Sequence, residues 1–341
     1  MFAKFTETIS SKAGEHWAVV FLAPAFAFWV GCLLAWADIV GWDSAISPFT
    51  NRTDPAKVAA GFGGLLIVLA STSVVQSMTG TMLRLMEGHW PRWLYPFAAL
   101  CTRGQAWRAH RLERLRLRLY NQAFKSLSPD DQGLYTQLMG SDSRPDDLTI
   151  QLIDKLSPYQ RGAYAQADYA LMFYPPRPDQ IMPTRLGNIL RSARLKPQSR
   201  YGLDTVVCWP RLWILLPQDA RNELISARKN LDGHVQLFTW GLLFIAASQT
   251  ISILGGAWVW WGLMVGLAVV CYAYLAALGA AVIYGDLLVT AFDLYRHLLY
   301  KALRFPLPKT TSEKGEGQRL TAYLFRGLLD TPQAFHPPQG E

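Results

Sequence analysis

Charge is what this chain has least of. Charged residues fill 17% of its 341 positions, against about 25% in ordinary soluble domains. Positions 233–285 carry no Asp, Glu, Lys or Arg at all. An uncharged stretch of that length cannot cover a water-facing surface, so a purely soluble protein is excluded. Cysteine is also scarce: there are four, and two of them, Cys32 and Cys271, lie inside apolar blocks. That excludes a small disulfide-stapled scaffold. Metal-ligand spacing is missing, because the cysteines are far apart and His16, His89, His110, His234, His297 and His336 form no paired motif. No Walker A loop and no Gly-x-Ser-x-Gly elbow occurs, and the Gly61-Phe62-Gly63-Gly64 run sits in an apolar block where it cannot cradle phosphate. No charged side chain lies deep in an apolar block, which argues against a transporter coupled through intramembrane charges. No cofactor and no metal is expected, and no familiar catalytic motif marks an enzyme. Disorder is excluded as well, since aromatics reach 13% and the apolar runs are long.

What the chain does have is four apolar blocks of membrane-crossing length. A span needs about 20 mostly apolar residues. The first block is 17–37, with Trp17 and Trp36 as interfacial anchors and Pro24 as a predicted kink. A cleaved signal peptide fits less well, because the stretch is long, starts late and lacks a small-x-small cleavage site. The second block is 58–80. The charge-free run supplies the third, 235–254, and the fourth, 257–285, joined at Gly255-Gly256 as a tight hairpin.

Lys and Arg mark the cytoplasmic side. The 38–57 loop has two basic and three acidic residues, whereas 81–233 has 22 basic and 14 acidic ones, an excess that equals the whole chain's surplus of eight. The predicted fold class is therefore an all-α integral membrane protein, with four transmembrane helices and a helical cytoplasmic domain between the second and third spans. Its parts are a cytoplasmic N-terminus at 1–16, a first transmembrane pair at 17–80 with an external loop at 38–57, and the helical domain at 81–233. A transmembrane hairpin at 234–285, a cytoplasmic helical extension at 286–305 and a mobile tail at 306–341 follow. Asn51-Arg52-Thr53 matches a glycosylation acceptor, a pattern short enough to arise by chance.

Within 81–233 no alternating β pattern occurs. Positions 106–124 form a basic helix in which Arg108, Arg111, Arg114, Arg116 and Arg118 alternate with leucines. Pro-Asp pairs at Pro129-Asp130, Pro145-Asp146 and Pro178-Asp179 predict helix starts, because proline and carboxylates suit the first turn. Thr184 is a predicted cap for a helix from Arg185 to Leu195, and Ser128 with Asp131 a weak capping box. The 206–216 segment is apolar but too short to span, and fits either the membrane surface or the domain interior. His89 to Tyr95, directly after a span, is a stronger interfacial candidate.

Three constellations are candidates for function. Thr72, Ser73, Gln76 and Ser77 crowd the inner half of the second span and fit a pore lining of uncharged polar groups, or hydrogen-bonded contacts between helices. Arg108, Arg111, Arg114 and Arg118 fit contact with anionic lipid head groups, or a solvated face paired with nearby aspartates. Arg185, Asn188 and Arg191, with Arg211, fit an anion or effector site, or a structural network in which Arg185 or Arg211 pairs with Asp204. Gly262 and Gly266 predict close helix packing, within or between subunits. Nucleic acid is not an expected partner, since exposed aromatics are not interleaved with the basic residues.

The segments 84–91 (RLMEGHWP), 183–188 (PTRLGN), 201–204 (YGLD) and 209–213 (WPRLW) resemble a group of uncharacterised bacterial multi-pass membrane proteins. The resemblance covers most of the chain and implies the bacterial inner membrane, with both termini cytoplasmic. It brings no activity with it. In layout alone, the chain is also similar to bestrophin-type anion channels. The expected function is an oligomeric pore or membrane-perturbing protein controlled by its cytoplasmic domain. The expected partners are the lipid bilayer, further copies of the chain and a cytoplasmic protein. The alternatives are a non-conducting anchor or scaffold that recruits a soluble partner, and a lipid-acting enzyme with a site near His89, Asp204 and Arg211.

Overall fold

The computed structural model describes residues 23–50, 53–140, 145–308 and 313–327. The N-terminal segment 1–16, the start of the first block with Trp17, the acceptor residues Asn51 and Arg52, and 328–341 lie outside the described residues. Among the described residues every regular element is helical and no strand occurs. Four helices are long and apolar enough to cross a membrane. The chain divides into two units, Met1–Met86 with Gln218–Tyr284, and Glu87–Pro217 with Gly285–Glu341.

The first unit holds α1 (Ala23–Val40), α2 (Trp42–Thr50), α3 (Asp54–Glu87, to Met86), α10 (Gln218–Gly255) and the first part of α11 (Trp260–Ala302). Pro24 belongs to α1, which is described from Ala23 onward. Small residues let the helices approach closely. A methyl on Gly31 would come within 2.6 Å of the Phe244 ring, and the Phe28 and Trp240 rings lie 5.0 Å apart. Trp29 donates its indole N–H to Ser71 Oγ at 3.1 Å, tying α1 to α3. Gly262 and Gly266 close the α10–α11 hairpin from within the chain: a methyl on either would strike Ser248 or Ile245. Ser252 clamps the hairpin turn, donating to Ala257 O and accepting from Val259 N–H at 2.6 Å. The end of α1 meets that turn, where the Trp261 indole donates to Asp38 Oδ2 at 3.2 Å.

Residues 218–233 pack with the first unit as the opening turns of the 38-residue α10, because one uninterrupted helix carries both the charged stretch and the apolar block.

The second unit holds α4 (Tyr95–Lys125), α5 (Pro129–Gly140), α6 (Pro145–Ile153), α7 (Pro158–Leu171), α8 (Arg185–Tyr201), α9 (Thr205–Leu215), the end of α11 and α12 (Glu313–Arg326). Two of the three Pro-Asp pairs open α-helices, and Pro178-Asp179 opens only a 3-10 turn. Ser128 Oγ accepts from the Asp131 N–H at 3.2 Å. Thr184 Oγ1 caps α8 by accepting from Gly187 N–H at 3.0 Å. A capping box of Ser157 with Gln160 starts α7, a helix with no Pro-Asp pair to announce it. Leu119, Ala123, Tyr135, Leu152 and Leu156 form a core between α4 and its neighbours. The 206–216 segment is inside this unit on one face: Cys208 and Leu212 of α9 are fully buried.

The tail, expected to be mobile, contains a docked helix. Thr321 Oγ1 of α12 donates to Gly202 O and accepts from Asp204 N–H, both at 3.1 Å, and Leu320 is fully buried. Arg296 of α11 bonds Glu313 at 2.6 Å and lies 4.1 Å from the Tyr201 ring centre, while Tyr201 donates to Asp293 at 2.8 Å. Burial beneath α12 pushes the Cys208 thiol up to about 11, from an ordinary value of 9.0. Folding therefore keeps a proton that the unfolded chain releases. That contribution to stability is full below pH 9 and fades as pH rises toward 11. Cys208 is expected to resist maleimide at pH 8 in the folded protein and to react once denaturant is added, as mass spectrometry of labelled peptides will show.

Candidate functional site

Two arrangements bring predicted residues together, one in each unit. In the first unit, the polar stretch of α3 splits between two faces. Thr72 and Thr79 are buried beside Val68 and Val75, and both hydroxyls donate to their own helix, to Val68 O at 2.7 Å and Val75 O at 3.1 Å. Thr72 thus leaves the candidate lining: its helix position shares a face with the buried valines. Ser73, Gln76 and Ser77 are exposed; Ser73 and Ser77 lie about 100–140° around the helix from Thr72, and Gln76 borders the buried face, about 40° from Thr72. Ser73 and Ser77 donate to Leu69 O at 3.0 Å and Val74 O at 2.7 Å, so their oxygens turn lone pairs outward. Gln76 has no hydrogen-bond partner among the described residues, leaving a whole amide outward. Steps of three and four residues carry the same face on through Gly80 to the exposed Arg84.

In the second unit, α4, α7 and the start of α8 enclose a groove of about 990 Å3. Arg108, Arg111, Arg114 and Arg118 line it from α4, and Arg185 joins them from α8. Tyr169, Phe173 and Tyr174 face them, and the Arg111 guanidinium lies 5.7 Å from the Trp107 ring centre. Tyr174 donates to Gln105 Oε1 at 3.2 Å. Burial raises its pKa, against the pull of Arg108 and Arg185. No Asp or Glu lines the groove among the described residues. None of the five arginines is ion-paired among the described residues, whereas Arg116, on the same helix, bonds Asp168 at 2.9 Å. Pairing of the basic helix with Asp130 and Asp131 is not observed, and the side chains of Asp146 and Asp147 lie outside the described residues.

The predicted row Arg185, Asn188, Arg191 divides: Arg185 and Asn188 both line the groove, and Arg191 does not. Asn188 is buried, accepting from Met182 N–H at 2.7 Å and donating to Met182 O at 3.1 Å, so its amide fixes the preceding loop. Arg191 turns to a separate cleft, where it reaches Met182 Sδ and lies with Glu87, His89, Arg194 and Asp204. In that cleft the buried Glu87 carboxylate accepts from Arg194 at 2.7 Å and stands 3.6 Å from His89. Neither Arg185 nor Arg211 pairs with Asp204. Asp204 caps α9, accepting from Val206 N–H at 2.8 Å, and Arg211 donates to Val207 O at 2.7 Å. The lipid-enzyme cluster is therefore incomplete: His89 and Asp204 share the cleft and Arg211 is not among its lining residues.

Of the aromatics beside the arginines, Trp107 is on the basic helix itself, while Tyr169 of α7 and Phe173 and Tyr174 just after it come from more than fifty positions away, out of reach of local sequence spacing. Among the described residues no group of three or more His, Cys, Asp or Glu side chains could hold a metal ion. No family model, no curated protein and no solved structure matches the chain.

Proposed function

We propose that the chain is a self-associating membrane pore, lined by the outward face of α3 and controlled by the second unit on the cytoplasmic side of a bacterial inner membrane. The observation that carries this reading is Gln76, an amide without a partner on the exposed face of a membrane-length helix, flanked by Ser73 and Ser77. Hydrocarbon is a poor environment for such a group: an unpaired amide there costs several kcal/mol. Water on a shared axis, or the same face of a second copy, removes that cost. Charge-free polar groups can solvate an ion or water without trapping it. The excess of Lys and Arg in 81–233 supports placing the second unit and both termini inside.

Native mass spectrometry in mild detergent, followed by planar-bilayer recording, tests the proposal. Four or more copies with measurable conductance are expected. A monomer or dimer without conductance overturns the pore and favours the second reading, a non-conducting scaffold for a soluble partner. That reading has its own support in an apolar groove of about 630 Å3 in the second unit, where Val206 and Phe325 are 78% and 72% exposed.

A further inference from the structure

We infer that the arginine groove of the second unit is a binding site for a ligand carrying two or more phosphate groups. The inference stands apart from the pore reading, because it rests on the second unit alone.

Five arginines line one concavity with no carboxylate among its described lining residues. Elsewhere in this unit arginines have acidic partners: Arg116 with Asp168, Arg161 with Asp154, Arg194 with Glu87, and Arg296 with Glu313. The five groove arginines have no such partner among the described residues, and like charges gathered in a groove repel one another until an anion enters. Arginine's planar fork suits phosphate oxygens, which it can hold through two parallel hydrogen bonds. A single phosphate cannot engage arginines spread over ten positions of α4 and the first residue of α8. Two or more phosphates can.

The groove's other chemistry points the same way. Arg185 is the first residue of α8, so the partial positive charge of that helix start adds to the arginine field. Trp107 and Tyr169 are more than half exposed, and offer flat faces at the groove for an organic part of the ligand. The volume lies at the upper end of the ~300–1,000 Å3 typical of small-molecule sites. The ligand chemistry is therefore an organic polyphosphate. It can come from a soluble nucleotide or from a phosphorylated lipid head group.

The full chain in detergent distinguishes these sources by calorimetric titration with ATP, with inorganic pyrophosphate, and with a short-chain lipid bearing a phosphorylated inositol head group. One variant carries Arg111→Gln with Arg185→Gln. A second, Arg103→Gln, removes an exposed charge from the same helix outside the groove. Circular dichroism and gel filtration establish that both are folded. At least one phosphate probe is expected to bind the unaltered chain, with the double variant ~30-fold weaker or more and Arg103→Gln within ~2-fold, since charge-assisted contacts carry most of the affinity. Binding of ATP and pyrophosphate identifies a soluble ligand; binding of the lipid alone identifies a head group. Either result supports the site. No binding of any probe, or equal losses in both variants, overturns it.

Discussion

Gly187→Ala is expected to destabilise the second unit by about 3 kcal/mol, the upper part of the range for forcing a methyl into filled space. The added carbon would meet the backbone oxygen of Glu87 and lie 3.0 Å from Met182 Cβ. A backbone carbonyl cannot swing aside as the end of a side chain can. The insertion therefore pushes α8 away from the 87–88 turn, and Gly187 and Glu87 belong to the same unit. The shift strains two further features held at that spot. Asn188 loses register with Met182, whose N–H and C=O it satisfies. Arg194 moves from the buried Glu87 carboxylate, and a buried charge that loses its partner costs more than the pair gained. Thermal unfolding in detergent, followed by circular dichroism, measures the effect as a fall in Tm. Gly104→Ala provides the contrast, because its methyl meets nothing within 4 Å. In the interior of α4 it is expected to stabilise by about 0.5–1 kcal/mol through helix propensity. Equal behaviour of the two variants would show that α8 does not lie against Glu87.

Gly187 also shows how far local sequence patterns reach. Thr184 as a cap is legible, since a threonine before a run of helix formers has one common use. The close approach two residues into the helix is not, because nothing in PTRLGN names the Glu87 carbonyl nearly a hundred positions earlier. The four membrane-length helices are legible on different grounds: bilayer thickness sets a length, and a charge-free run of that length is poorly tolerated on a wetted surface. The extent of α10 is less legible, since its helix ignores the change from charged to apolar sequence at 233.

The candidate sites divide along the same line. Residues one helical step apart share a face only if the steps alternate between three and four. Ser73, Ser77, Gly80 and Arg84 follow that rule. Arg185, Asn188 and Arg191 advance by three twice, so their outer members diverge by about 120° around the helix. Two separate cavities receive them. The groove itself joins α4 to residues of α7 and α8, and such juxtapositions are set by packing, not by spacing. α12 illustrates the remaining kind of miss. Its sequence, with Gly315 and Gly317 among charged residues, favours no helix in isolation. Gly317 is the residue at which the helix touches Tyr201, where a methyl would collide with the backbone oxygen. The feature that weakens the helix alone is what lets it dock.

Gln76→Leu is expected to abolish conductance while leaving assembly unchanged. Leucine nearly matches glutamine in length and has high helix propensity, so α3 keeps its form. Position 76 is exposed but stands only about 40° around the helix from the buried Thr72, so copy number has to be read alongside current. What changes is the only whole amide on the outward face. Ser73 and Ser77 spend their hydroxyl protons on their own helix, so at this level Gln76 alone can both donate to and accept from passing water. Replacing it in every copy of a ring places a band of methyl groups across the path, and a hydrophobic constriction closes a narrow pore by dewetting. Gln76→Asn separates this cause from a general intolerance of change, since it shortens the side chain and keeps the amide; it is expected to retain conductance. If α3 faces were used instead for adhesion between copies, Gln76→Leu would lower the copy number seen by native mass spectrometry before it touched the current. Loss of current at constant copy number, with Asn tolerated, identifies position 76 as lining. Unchanged current in Gln76→Leu removes α3 from the path and leaves the amide as contact between helices of neighbouring copies.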